Sequence, residues 1–320
     1  MMSKDSLWDL VKSKEYNSED DIFNINDFRL VGGFNSRLAT WDPMEKSSRF
    51  FKSLLFSFAS HLDNKIIKEL NIDEKFTGSG IHYFLKNISK TNLGQPLSIK
   101  YYQYNVDIDY LLSLEEMLFL YKYLINCKSL LEIGPGFGRL THSIISNFNN
   151  IESYFLIDLD WMLDISRAYL GKVLSEDNFS KIKFISVEEY KNKNFDIISS
   201  QNRIDMAINI DSFQEMPTDV AKEYLKFIGD TCEYFYSKNA ICKYKPSDVD
   251  INLKDESQYR AALEMGLCKE VIDIYNTNEI QVQKENYFKS YCPKNFKLKK
   301  SEQCFGQYLY YFSSLYKKLN

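Results

Sequence analysis

The sequence predicts an α/β fold, with a parallel sheet and crossover helices behind a mostly helical N-terminal part. Three observations predict it. From Leu130 onward, short apolar runs rich in β-forming residues recur between segments of helical length, the pattern that builds strand-helix-strand units. The run "LLEIGPGFGRL" at 130–140 passes straight into Gly134, Gly136 and Gly138, spaced two apart. Before residue 110 the apolar spacing is that of helices instead.

Taken in order, "SSRFFKSLLFSFASHLDNKIIKEL" at 47–70 places Phe50, Phe51, Leu54, Leu55, Phe58 and Leu62 three and four apart, which predicts one amphipathic helix. The stretch "NLGQPLSIKYYQYNVD" at 92–107 interrupts that period with Gly94 and Pro96 and reads as a connector. Helical spacing resumes in "DYLLSLEEMLFLYKYLI" at 109–125. Strands are expected at 129–133, 154–158, 182–186, 205–210 and 233–237, with two later candidates in "VIDIY" and "QYLYYFSSL". The basic "KNFKLKK" at 294–300 reads as a solvated loop. A boundary near residue 110 divides a helical N-terminal domain, 1–110, from an α/β domain, 111–320.

With 320 residues, 44% of them hydrophobic, the chain can bury a large core. Forty Lys and Arg against 44 Asp and Glu make a net charge of −4, which leaves no electrostatic footprint for nucleic acid and favours a small-molecule partner. Six cysteines, scattered and without a C-x-x-C pair, suggest neither a zinc ribbon nor a disulfide framework. The N-terminus lacks the apolar core of a signal peptide, and no apolar run reaches membrane-spanning length, so a cytoplasmic protein is expected.

A glycine turn between strand and helix aims backbone N–H groups at a ligand with no Cβ in the way. The dinucleotide fingerprint is G-x-G-x-x-G, whereas this turn is E-x-G-x-G-x-G, with Glu132 two positions before the first glycine. "LEIGPGFGRLT" resembles motif I of class I S-adenosylmethionine-dependent methyltransferases. The resemblance implies a Rossmann-like fold with a mostly parallel seven-stranded sheet, and a turn that packs on the methionine and ribose of S-adenosylmethionine, with S-adenosylhomocysteine as product. It further implies that the second strand, "YFLID", ends in the ribose ligand Asp158, whose two oxygens face the two hydroxyls of a diol; Asp160 is the alternative. Trp161 and Met162 could cover the adenine or fill the core, and Ser186 to Glu188 stand where the adenine amine would be read or form a solvated loop.

The fourth strand runs into "INIDSFQEMP", where the resemblance places the transferable methyl. Asn209 joins the candidate cofactor contacts, and Asp211, Ser212, Gln214 and Glu215 form the acceptor side. "NIDSFQEM", together with "YFYSKN" ending in Asn239, is similar to a bacterial family of sugar O-methyltransferases, over about residues 90 to 245. That implies a sugar or nucleotide-sugar acceptor in surface polysaccharide synthesis. Removing a hydroxyl proton needs a base, and Glu215 comes first, then Asp211, since a partly buried carboxylate can titrate near neutrality. Glu215 could equally open a helix before Pro217. Of the three histidines, His142 follows the glycine turn by one helical turn and is the third candidate, ahead of His61 and His82. A magnesium on Asp211 and Glu215 is a variant that no spacing demands, and self-association is left open.

In the N-terminal part, Arg37 within "GGFNSRLATWDP" could bind an anionic acceptor group, and Tyr101, Tyr102 and Tyr104 could stack on a sugar or pack between domains. The reading is an O-methyltransferase. Its rivals are nitrogen or phosphorus-linked oxygen as acceptor, a nicotinamide oxidoreductase whose turn is absent, and a non-catalytic methyltransferase-like scaffold.

Overall fold

The computed structural model describes residues 23–30, 49–72, 79–192, 203–245, 247, 256–306 and 309–319. They divide into two compact units, one of the described residues in 22–128 with Pro135–Val187, the other of Ser129–Gly134 with those from Glu188 onward.

In the first unit the predicted helix is present as α1, Arg49–Leu70. Its buried stripe is Leu55, Phe58, Ala59, Leu62 and Ile66, while Phe50 and Leu54 are exposed at 74% and 49%. Apolar residues at 50–58 allow two overlapping stripes, and the one continued by Leu62 and Ile66 is the one packed. After the short α2, His82–Leu85, the expected connector instead holds a hairpin of β1, Ser98–Tyr101, and β2, Tyr104–Asp107. Tyr101 pairs with Tyr104, and Tyr102 turns the chain at φ 49°. An aromatic residue rarely adopts that conformation, so no turn signature marks the hairpin. Asp107 then caps α3, Ile108–Leu124, by accepting the amides of Asp109 (3.0 Å) and Tyr110 (3.3 Å). Every residue of 109–120 is buried, so α3 is a core helix rather than a surface one.

The same unit contains α4, Arg139–Asn147, β4, Ser153–Asp158, α5, Asp160–Val173, α6, Glu176–Ser180, and β5, Ile182–Ser186. Strands β4 and β5 pair in parallel. Strand β3, Ser129–Ile133, belongs to the other unit, with β6, Ile204–Ile210, and β7, Cys232–Ala240, all parallel. α7, Val187–Lys191, follows β5 in the chain and α8, Thr218–Thr231, joins β6 to β7. The short β8, Lys243–Tyr244, pairs with β9, Val271–Ile272, with α9, Glu256–Glu264, between them in sequence. α10, Thr277–Ser290, precedes an antiparallel pair, β10, Phe296–Gln303, and β11, Tyr311–Lys318, and β11 runs antiparallel to β7.

The seven-stranded sheet has the order β10-β11-β7-β6-β3-β4-β5, a Rossmann-like α/β fold of the predicted mostly parallel kind. Counting its strands along the chain, the order 3-2-1-4-5 is that of dinucleotide-binding sheets, but the last two strands enter as a hairpin with the seventh beside the fifth. The five early strands stand within two residues of their expected N-terminal ends, because continuous apolar runs reveal strands covered on both faces. The later candidates are shorter or shifted: "VIDIY" contributes only Val271–Ile272, and the last strand begins at Tyr311. The expected loop at 294–300 is mostly strand β10. It lies at an edge with only Phe296 buried, so no alternation marks it.

Candidate functional site

The glycines differ in what they do. All three take positive φ, 74° at Gly134, 56° at Gly136 and 93° at Gly138, values a side chain would strain. A Cβ on Gly138 would lie 2.9 Å from Leu170 of α5, so that glycine lets α4 and α5 approach. One on Gly134 would stand 2.3 Å from the Ser212 hydroxyl oxygen, so it admits that side chain to the end of β3. A Cβ on Gly136 would meet nothing within 4 Å. The bare backbone predicted for a ligand is therefore offered at Gly136, while its two neighbours are required by packing.

In the unit that holds Gly136, its amide donates to Asp158 Oδ2 at 3.4 Å, and Oδ1 accepts the Leu159 amide at 2.8 Å. Asp158 ends β4 half-buried, in register with the buried Ser186 at the end of β5. Asp160 is exposed in the first turn of α5, where a carboxylate complements the helix dipole, and Trp161 and Met162 follow it half-buried. Gly136, Asp158 and Ser186 are thus brought together at the C-terminal ends of adjacent strands, where α/β sheets bind ligands. Such a set fits a cofactor with a vicinal diol: an open backbone for its chain and a carboxylate with acceptor capacity for its hydroxyls.

His142 is placed elsewhere. It is fully buried on α4, with Nδ1 hydrogen-bonded to the Tyr110 hydroxyl at 2.6 Å and the Tyr169 ring alongside. Its Nε2 has no hydrogen-bond partner among the described residues, and burial lowers its pKa to about 3. A base must meet its substrate's proton, and this imidazole has no surface to do so; the reason is that α4 turns residue 142 toward α3. His82 sits on α2 against Tyr104 (2.5 Å), and His61 on α1. Tyr101 is buried in the hairpin and Tyr102 is exposed at 58%. Arg37 lies outside the described residues.

In the second unit, Glu132 is buried on β3 opposite Ile208 of β6. Asn209, expected to face the cofactor, is fully buried and saturated. Its amide nitrogen donates to the Ile133 carbonyl (3.0 Å) and Ser212 Oγ (2.5 Å), and its oxygen accepts from the Phe213 amide (3.3 Å) and Asn239 Nδ2 (2.9 Å). Asn209 therefore holds the end of β3, with its side-chain hydrogen-bonding capacity already engaged. Asp211 leaves β6 at φ 62°, a conformation rarely held by a residue with a Cβ, and its Oδ1 accepts from Gln214 Nε2 at 3.3 Å. Glu215 ends the 3-10 turn Ser212–Glu215, half-buried, before Pro217 starts α8.

That turn is gripped from several sides within its unit. Gln214 Nε2 donates to the Tyr311 hydroxyl (2.8 Å), its Oε1 accepts the Ala240 amide (3.0 Å), and its carbonyl accepts Lys243 Nζ (3.0 Å). The Gly266 amide donates to the Met216 carbonyl at 2.7 Å. Lys243 is a group the sequence did not point to. Burial lowers its pKa to about 8 against the opposing pull of Glu215, so a titratable amine stands beside the candidate acceptor side. Its only signal was a lysine shortly after an apolar strand, which is too common to single out.

Among the described residues no group of three or more His, Cys, Asp and Glu could hold a metal ion, and no helix is long and apolar enough to cross a membrane.

No protein-family model and no curated protein matches the chain. Among solved structures it is similar to the methyltransferase domain of bacterial CtHen1, with TM-score 0.46 and 12% identity, covering 67% of this chain and all of that one. It is also similar to the mitomycin 7-O-methyltransferase MmcR, with TM-score 0.38 and 10% identity over 65% of this chain and 56% of that one. An O-methyltransferase family protein from Burkholderia thailandensis has TM-score 0.41 and 9% identity, with 66% and 57% covered. The chain thus spans little more than half the length of the last two.

Proposed function

We propose that the chain is an S-adenosylmethionine-dependent O-methyltransferase of the cytoplasm, acting on a hydroxyl of a sugar or nucleotide sugar for surface polysaccharide. The observation that carries it is Gly136, open to a ligand and hydrogen-bonded through its amide to the strand-end Asp158. The sugar acceptor rests on the resemblance carried by "LEIGPGFGRL", "NIDSFQEM" and "YFYSKN". Asp158 would hold the ribose diol, the Gly136 backbone would lie along the cofactor, and Ser186 and Trp161 would border the adenine. When bound, S-adenosylmethionine supplies an electrophilic methyl on a sulfonium.

The chain's own part is alignment and proton removal. Glu215 is the base in this reading, Asp211 the reserve, and Lys243 an amine able to share the proton at slightly alkaline pH. In this reading the N-terminal domain to about residue 110 is the lid or acceptor domain.

Thermal unfolding with S-adenosylmethionine, S-adenosylhomocysteine and NAD in parallel tests the cofactor. The midpoint should rise with the two sulfur compounds and not with NAD; the reverse pattern would defeat the proposal. Asp158→Ala should weaken S-adenosylhomocysteine binding by roughly 10- to 100-fold, as expected for losing charge-assisted hydrogen bonds. Once an accepted sugar is found, Glu215→Gln should leave that binding intact and lower kcat by about 10²- to 10⁴-fold. Unchanged turnover would remove Glu215 from the mechanism.

A further inference from the structure

Between Gly136 and Gly138 the glycine turn carries one large side chain, Phe137, which is only 6% exposed. Its ring is enclosed by one residue of α5 and by two from well before the strand-helix units, all within the first unit. Phe28 meets it edge-on with centroids 5.3 Å apart, Tyr169 does so at 4.9 Å, and the Arg29 guanidinium lies over its face at 5.3 Å. Arg29 also covers Tyr110, at 5.4 Å.

The two N-terminal residues are themselves fixed with little freedom. Arg29 is 4% exposed: Nε donates to Asp109 Oδ2 (2.9 Å), Nη2 to Asp107, and Nη1 to the carbonyls of Thr91 (2.7 Å) and Leu93 (3.2 Å). Its backbone amide donates to the Gly94 carbonyl at 2.9 Å. A Cβ on Gly94 would come within 2.6 Å of the Phe28 ring, so this glycine at φ 88° is needed to admit Phe28. Only a planar guanidinium satisfies two carboxylates and two carbonyls in its plane while offering its faces to Phe137 and Tyr110.

We propose that Phe28 and Arg29 are positioning residues for the cofactor turn: by bracing Phe137 they hold the backbone of Gly136 in its ligand-ready shape. The inference rests on the cofactor reading above and adds that affinity for the nucleoside cofactor is set in part by a segment more than a hundred residues earlier in the chain. Neither residue need touch the ligand. Their effect passes through the Phe137 ring to the peptide that flanks it.

The experiment compares wild type, Phe28→Leu, Arg29→Lys and a control, Leu62→Val, which disturbs the buried face of α1 in the same unit. Two quantities are read well below the unfolding midpoint: the S-adenosylhomocysteine dissociation constant by calorimetry, and hydrogen exchange of the amides at 136–139 without ligand. Phe28→Leu keeps an apolar filling and Arg29→Lys keeps the charge, so both should fold. Each should weaken binding by about tenfold, the size expected from losing a ring-edge or cation-to-ring contact, and speed exchange in the turn. Leu62→Val should change neither. Binding and exchange equal to wild type in both variants would overturn the brace, as would the same changes in the control. A wild type that binds no S-adenosylhomocysteine would overturn the cofactor reading instead, and the two failures are separable because the exchange measurement uses no ligand.

Discussion

Replacing Arg139 by methionine should destabilise the chain by about 3–5 kcal/mol, the cost of taking the cation from a buried carboxylate. Arg139 opens α4 directly after the glycine turn and forks onto Glu116 of α3, with Nη1 to Oε2 at 2.6 Å and Nη2 to Oε1 at 2.9 Å; Nη1 also reaches Ser113 Oγ at 3.0 Å. The Glu116 side chain is 0% exposed and that of Arg139 only 15%, so water cannot stand in for the lost partner. The carboxylate would then have to take up a proton or carry an uncompensated charge. Arg139→Met combined with Glu116→Leu should recover most of the loss, because an apolar pair of similar volume asks for no compensation. Urea midpoints of the single and double variants make the comparison. Equal stabilities would mean that the pair is not what joins α3 to α4.

Acidification should expose His142. In the unfolded chain it titrates near 6.5, while in the folded chain burial lowers it to about 3. The sign follows from proton counting. Above pH 6.5 neither state is protonated and the histidine contributes no slope; below it the unfolded chain binds a proton that the folded chain refuses, so stability falls as pH falls. The loss should approach about 1.4 kcal/mol per pH unit, or about 3 kcal/mol by pH 4.5. Asp107 works the other way, since burial outweighs Arg29 and raises it to about 6, so the folded chain takes up that proton first. Comparison with His142→Asn separates the two contributions. Urea unfolding at pH 7.5 and 4.5 should show a steeper acid loss in wild type than in the variant; parallel losses would contradict a buried neutral imidazole.

What was legible in the sequence follows from how far each signal reaches along the chain. Strands β3 to β7 announced themselves because a strand covered on both faces must be apolar throughout, and the glycine turn because three positive-φ positions in five tolerate few residues. That Asp158 closes β4 was legible from its place at the end of such a run. The brace on Phe137 was not, because Arg29 finds Asp107 and Asp109 some 80 positions away and nothing local marks it as buried. Asn209 looked like a ligand contact because strand-end polar residues often are; only its four internal bonds reveal that its capacity is already used. His142 was misplaced by proximity in sequence: one helical turn after the glycines brings it near the turn but aims it at α3. Hairpin β1–β2 and strand β10 were invisible because one turns on a tyrosine and the other, at an edge with only Phe296 buried, reads as a basic stretch.

The lysines of that stretch bear on how the chain behaves among its own copies. Among the described residues strand β10 ends the sheet, the position at which an unpaired edge could accept another extended segment. Lys297 and Lys299 are exposed along that border, and the register slips between Leu298 and Lys300, so a second copy's strand arriving there meets like charge and a broken ladder. The stretch that reads as a loop is thus built as a charged, irregular edge, of the kind that disfavours pairing sheet to sheet. Exchanging the exposed Lys297 and Lys299 for valine and threonine should raise the light-scattering mass of concentrated protein, and an unchanged mass would contradict the reading.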